Sequence, residues 1–268
     1  MNKLLDCTSI VTIYESLEEI IGPKIRHFVR DHRNRFSLSK HGIVNFDRVS
    51  IEEIKHYFKV STFDYNEIVV HHAASIISQD SYKYGGLYNL KTLAKKTNNS
   101  FKDFLLDNGI SFKLDSEGYP FFEYKDKRVT SRYLELRYKK DSNINGFLFS
   151  YSLKEDTNID KIRLCPEIIK HLGEVVGLNL KAKWEAISVP SGISFKTNLF
   201  NIHKDTFGFE CSLYIKQEHF IKYSLDYLLI FDAIRYEYPK DHPMIFLKAD
   251  QIVEPKDILS IKTLGEVE

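Results

Sequence analysis

Two adjacent histidines, His71 and His72, close the β-branched run Glu67-Ile68-Val69-Val70. Imidazole is the side chain whose ordinary pKa lies near neutrality, and in its neutral form it donates one hydrogen bond and accepts another. The pair is therefore a candidate for acid–base work, for metal ligation or for holding a hydroxyl. Geometry narrows the choice. In an extended strand neighbouring side chains point to opposite faces, so His71 and His72 do not easily chelate one ion. A zinc site also needs further ligands at suitable spacing, and no metal is expected. One histidine should enter the core and the other should face a cleft. His72 is expected to line a pocket, because it is the last residue before the chain loosens into Ala73-Ala74.

Two other sets of residues carry chemistry on paper. Between Lys24 and Lys40 the chain is basic, with only Asp31 opposing. Arg26, Arg30 and Arg33 are the candidates there for contact with nucleic-acid phosphates. The competing reading is a solvated helix face. Arg26 to His32 also resembles the Arg-x(4–6)-His pattern of HEPN ribonucleases, but that family is all-helical and this chain is rich in strand signals. Glu123-Tyr124-Lys125, with Asp115 on the preceding strand, resembles the metal-binding arrangement of PD-(D/E)xK nucleases. Asp115 opens Asp115-Ser116-Glu117-Gly118, however, which reads as a turn. Cys165, ahead of Pro166, reads as a small buried apolar residue. There is no Gly-x-Ser-x-Gly, P-loop or dinucleotide fingerprint.

The elements that must position these groups mix helix and strand. Ser16-Leu17-Glu18-Glu19 and Ser50-Ile51-Glu52-Glu53 both fit capping boxes. Pro23 is placed to open a second helix. Asn89 is a good N-cap for a helix through Leu90, Leu93 and Ala94, and Phe101, Phe104 and Leu105 continue the apolar face to a stop at Asn108-Gly109. Ile110–Leu114 and Tyr119–Lys125 read as a hairpin. Pro166 opens an amphipathic helix that Gly177 ends. Further strands are expected over 132–138, 146–153, 184–189, 192–195, 210–216, 227–238 and 244–247. Without a regular βαβ rhythm, the expected class is α+β: a largely antiparallel sheet core with flanking helices and an N-terminal helical extension. Residues 1–60 would be the extension and 61–268 the core, within one domain overall.

Around this pair the chain resembles the DNA-modifying ADP-ribosyltransferase toxins. The match lies in a strand ending in His71-His72, then Asn89-Leu90-Lys91-Thr92-Leu93, then Asn108-Gly109-Ile110. It covers about residues 67–112 and 198–216. The resemblance implies that NAD is the substrate, with His72, His71, Asn89 and Tyr151 at the cofactor. It also implies a catalytic carboxylate at Glu210, where a strand would follow the loop 198–209; Glu218 is the second candidate. ADP-ribose would then pass to a macromolecule, possibly nucleic acid, in a toxin or phage-defence setting with an antitoxin or regulatory partner. The alternatives are a metal-dependent nuclease and a non-catalytic binding or regulatory protein.

The totals set bounds. The 268 residues balance to a net charge of +1, so no global field draws the chain to nucleic acid or membrane. Cys7, Cys165 and Cys211 form no paired framework. With no apolar leader or membrane-length run in view, a cytoplasmic protein without a membrane partner is expected.

Overall fold

The computed structural model describes residues 3–39, 42–46, 48–97, 99–140, 143–155, 164–233, 243–249 and 251–264. The strands are β1 (Leu4–Leu5), β2 (Phe36–Ser39), β3 (Gly42–Phe46), β4 (Glu67–Ile76), β5 (Ile110–Leu114), β6 (Pro120–Tyr124), β7 (Lys127–Arg128), β8 (Asn145–Phe147), β9 (Val189–Asn198), β10 (Met244–Phe246) and β11 (Ile258–Thr263). The helices are α1 (Ile10–Ile21), α2 (Ile25–His32), α3 (Ile51–Phe58), α4 (Gln79–Gly85), α5 (Leu90–Lys95), α6 (Ser100–Asp107), α7 (Arg132–Lys140), α8 (Ser152–Glu155), α9 (Glu167–Val176), α10 (Leu180–Glu185) and α11 (Leu213–Ala233). The class is α+β. The main sheet runs β10-β8-β4-β9-β11, and all of its pairs are antiparallel except β1, which lies parallel to the start of β4.

β4 is the centre of the sheet because it is apolar on both faces. Ile68, Val70, Ala74 and Ile76 enter the main core, while Val69, His71 and Ala73 are buried on the other side. Such a strand reads as a continuous hydrophobic run. β9 pairs with it along its whole length, from Glu67↔Asn198 to Ile76↔Val189. β8 approaches the opposite edge closely at Gly146, where an added Cβ would lie 2.6 Å from Val70 Cγ1 and 2.7 Å from His71 O. β4 does not loosen after His72, as the sequence suggested, but continues to Ile76.

Two large apolar cores and a small cluster of Ala73, Phe147 and Leu153 result among the described residues. The main one joins α1, α2 and α3 to the sheet and to α11, through Ile13, Leu17, Phe28 and Ile54 on one side and Phe220, Ile221 and Leu225 on the other. Residues 1–60 thus share their core with the late helix, and they contain the β2–β3 hairpin as well as helices. The second core gathers Phe104, Leu105, Phe112, Phe122, Leu134, Ile169, Leu172 and Trp184 around the β5–β6 hairpin.

Several expectations fail for physical reasons. The box that starts α1 is Ser9 with Thr12, not Ser16 with Glu19; the Ser16 hydroxyl donates to Thr12 O at 2.7 Å inside the helix. Residues 132–138 lie in α7. Residues 184–189 are the end of α10, a turn and the first residue of β9. Residues 210–216 are loop and then the first turn of α11. Residues 227–233 continue α11, and 234–238 lie outside the described residues. α11 deceives because it is buried round much of its circumference over 216–230. It lacks the polar stripe that reveals a helical period, and its Tyr, Phe and Ile content mimics a strand. The second box, Ser50 with Glu53, and the Asn89 cap form as read.

Candidate functional site

One edge of β4 is fully occupied by β9. The other edge carries β1 at Glu67 and Ile68 and β8 at His71. From Ala73 to Ile76, among the described residues, no strand pairs with it. A cavity of about 440 Å³ lies there. Consecutive residues of both faces, His72 through Ile77, border it, as only a strand edge allows. Unpaired edge amides and carbonyls are ready partners for a ligand's polar groups.

The facing wall is aromatic. α4 ends at Gly85, and Gly86 turns the chain with φ +93°. An added Cβ at Gly86 would fall inside contact distance of Val253 O, since Leu87 and Val253 exchange two backbone hydrogen bonds of 3.0 Å. That clamp presents Tyr82, Tyr84 and Tyr88 to the cavity. Lys96 stands 4.7 Å from the centre of the Tyr88 ring. Trp184, the sole tryptophan, closes the floor and donates from Nε1 to Ser75 Oγ at 2.8 Å. Burial pushes the Tyr82 phenol up to about 12, so it stays neutral. Among the described residues no Asp or Glu lines this cavity.

The histidines divide as alternation requires. His71 is fully buried, with Nδ1 2.9 Å from Ser194 Oγ. Its Nε2 has no hydrogen-bond partner. Burial pulls its pKa down to about 4, against a smaller upward pull from Asp6. His72 lines the cavity, and its Nδ1 lies 2.6 Å from Asn145 O. A carbonyl only accepts, so Nδ1 carries the proton. Burial lowers the His72 pKa, partly opposed by that hydrogen bond. The ring is therefore neutral at physiological pH, and Nε2 is left as an acceptor.

The remaining candidates lie elsewhere. Asn89 is buried and spends its side-chain oxygen on Thr92 N at 2.8 Å as the cap of α5. Tyr151 is half-buried between β8 and α8 and is not part of the cavity lining. Glu210 opens no strand. It is an exposed loop residue 3.9 Å from Lys204, and it borders a different cavity beside the segment that follows Asn198. Asn198 pairs with Glu67, four residues before His71, on the order of 13 Å along an extended strand. The cavity that Glu210 borders shares no lining residue with the one that His72 lines, so the structure does not bring Glu210 to the histidines. Glu218 lies on α11 and pairs with Lys55.

Arg26, Arg30 and Arg33 share one exposed stripe of α2 and its continuation. Arg26 lies 3.5 Å from Glu18 and Arg30 lies 3.6 Å from Asp31. His32 spends Nδ1 on Phe28 O at 2.8 Å. In the hairpin, Asp115 accepts from the amides of Glu117 and Tyr119 and pairs with Arg128 at 3.2 Å. Its oxygens are used by the turn, and no group of acidic, histidine or cysteine side chains among the described residues is arranged for a metal. Cys165 is buried, and desolvation raises its thiol to about 11. Among the described residues no helix is long and apolar enough to cross a membrane.

Sequence reasoning missed Tyr82, Tyr88, Lys96 and Trp184. The signal that could have found them was the tyrosine spacing around Gly85-Gly86, where a strained turn displays the flanking rings. No protein-family model, curated protein or solved structure matches the chain.

Proposed function

We propose that this protein binds a nucleotide with an aromatic base, NAD being the first candidate, in the cavity beside β4. The observation that carries this reading is His72: a neutral imidazole with a fixed tautomer, on the wall of a cavity that combines tyrosine rings with a strand edge that no described strand pairs. Each part suits one part of such a ligand. The rings offer stacking faces for a base. The strand edge offers paired donors and acceptors for a carboxamide. His72 Nε2 accepts from a ribose hydroxyl, and Lys96 faces phosphate charge. The volume lies within the range of small-molecule sites.

Transfer of ADP-ribose to a macromolecule, the activity implied by the resemblance, remains a proposal at this same cavity. It needs a carboxylate against the developing sugar cation. Glu210 does not support that role from its position, and among the described residues the lining holds no other carboxylate. The reading therefore rests on binding. A regulatory or binding protein fits the same geometry.

Trp184 makes the test direct. Adding NAD should change its fluorescence along a saturable curve, and His72→Ala should weaken the apparent affinity roughly tenfold, the scale of one lost hydrogen bond. No saturable change in the unaltered protein would overturn the nucleotide reading. Release of nicotinamide, followed in the same samples, separates a transferase from a binder.

A further inference from the structure

At the other end of the β4–β9 pair the chain leaves Asn198 through two 3₁₀ turns, Leu199–Asn201 and Lys204–Thr206. These turns, the residues after β10 and the first turn of α11 enclose a second cavity, of about 330 Å³. Its wall is basic. Lys216 is 8% exposed, and its Nζ donates to Leu199 O at 3.0 Å and to Ile202 O at 2.7 Å. An ammonium has three protons, so one donor remains beyond these two carbonyls. Lys248 lines the same wall, on a segment fixed by its own amide to Asn201 O at 2.7 Å. Among the described residues neither lysine forms an ion pair. Lys204 adds a third cation at the rim, 3.9 Å from Glu210, whose side chain is 83% exposed.

A buried charge without a counter-ion is costly. Here two carbonyls hold the Lys216 ammonium in place, and a second cation is brought beside it. Burial draws the Lys216 pKa down, and Lys248 adds to this more weakly, against opposing pulls from Cys211 and Glu210. A structural lysine that only ties the 3₁₀ turn to α11 would explain the two carbonyl bonds. It would not explain why Lys248 and Lys204 converge on the same hollow. The first turn of a long helix borders that hollow too, and its amide end favours negative charge.

We propose that this second cavity binds a phosphate group, held by Lys216 and Lys248, with Lys204 and Glu210 setting its access. The phosphate could be free or the terminal group of a nucleotide; the chemistry recognised is the same. The site stands apart from the β4 cavity and does not depend on what that cavity binds.

The test is calorimetric titration of the full chain with inorganic phosphate and, separately, with adenosine monophosphate, at constant ionic strength. Saturable binding of inorganic phosphate supports the proposal, and binding of the monophosphate supports it where Lys248→Gln weakens it and His72→Ala does not. Equal affinities indicate that the phosphate alone is read, and tighter binding of the monophosphate indicates a nucleotide. Lys248→Gln should weaken binding roughly tenfold, the loss of one charge-assisted contact. Lys248 is exposed, so this variant should fold, whereas Lys216→Met removes the two carbonyl bonds that tie the 3₁₀ turn to α11. Glu210→Gln removes the opposing charge and should tighten binding about twofold. Trp184 fluorescence should ignore inorganic phosphate. Absent binding, binding unchanged in Lys248→Gln, or a phosphate-induced Trp184 signal that His72→Ala abolishes would each overturn the proposal.

Discussion

His71 and His72 are neighbours in sequence and separate in chemistry. His72 has its Nδ1 proton committed to Asn145 O and an acceptor nitrogen left over. His71 is sealed on the opposite face against Ser194. Its burial has a consequence for stability. The folded pKa of about 4 lies below the ordinary histidine value, so the unfolded chain binds more protons between about pH 6.5 and pH 4. Stability therefore falls as pH drops through that window, by on the order of 3 kcal/mol from this group. His72 and His219, also shifted down by burial, add slope of the same sign. The difference between variants isolates His71. In His71→Gln, which can still bond Ser194, the melting temperature should fall less steeply from pH 6.5 to pH 4 than in the parent. Parallel curves would show that His71 is already neutral in the unfolded state or that water satisfies its charge.

At the scale of elements, the cavity beside β4 exists because β8 is short and the Gly85-Gly86 turn is clamped to Val253. Gly86 holds a left-handed φ in a space that admits no Cβ, whereas Gly22 has a similar φ with nothing within 4 Å. Gly86→Ala should therefore destabilise by about 1–3 kcal/mol from backbone strain plus the clash, and Gly22→Ala by the strain alone. Equal losses in thermal melting would remove the clamp from this account. The variant should also blunt any Trp184 response to ligand, because the tyrosine wall moves with the turn. Much of this was legible beforehand: the β4 run, the Asn89 cap, the β5–β6 hairpin and the glycine turn all follow from local rules. The end of β8 was not, since nothing in Gly146–Leu153 marks where pairing stops. Nor was α11, whose burial erased its period and left Glu210 apparently opening a strand.

Over the whole molecule, the second core joins the sheet at the end of β4, where Trp184 bonds Ser75 and Ile77 packs against the cluster. The main core is closed by the first and last thirds of the chain: Leu17 and Phe28 pack in the same cluster as Phe220 and Leu225. Gln217 Nε2 donates to Tyr65 O at 2.6 Å, and Tyr65 OH donates to Gln217 O at 2.9 Å. α1 is therefore part of the body that supports β4. The second core is tied to the same strand by the Trp184–Ser75 hydrogen bond. That connection predicts one cooperative transition. Far-UV circular dichroism follows both cores, and Trp184 fluorescence follows the second. Leu17→Ala removes a fully buried side chain from the main core and should cost about 2–5 kcal/mol. Although Leu17 belongs to the other cluster, the fluorescence transition should move down together with the dichroism transition. If the dichroism signal splits and Trp184 melts at its original temperature, the cores unfold independently. The cavity beside β4, with that strand on one side and Trp184 on the other, would then lose one wall before the other.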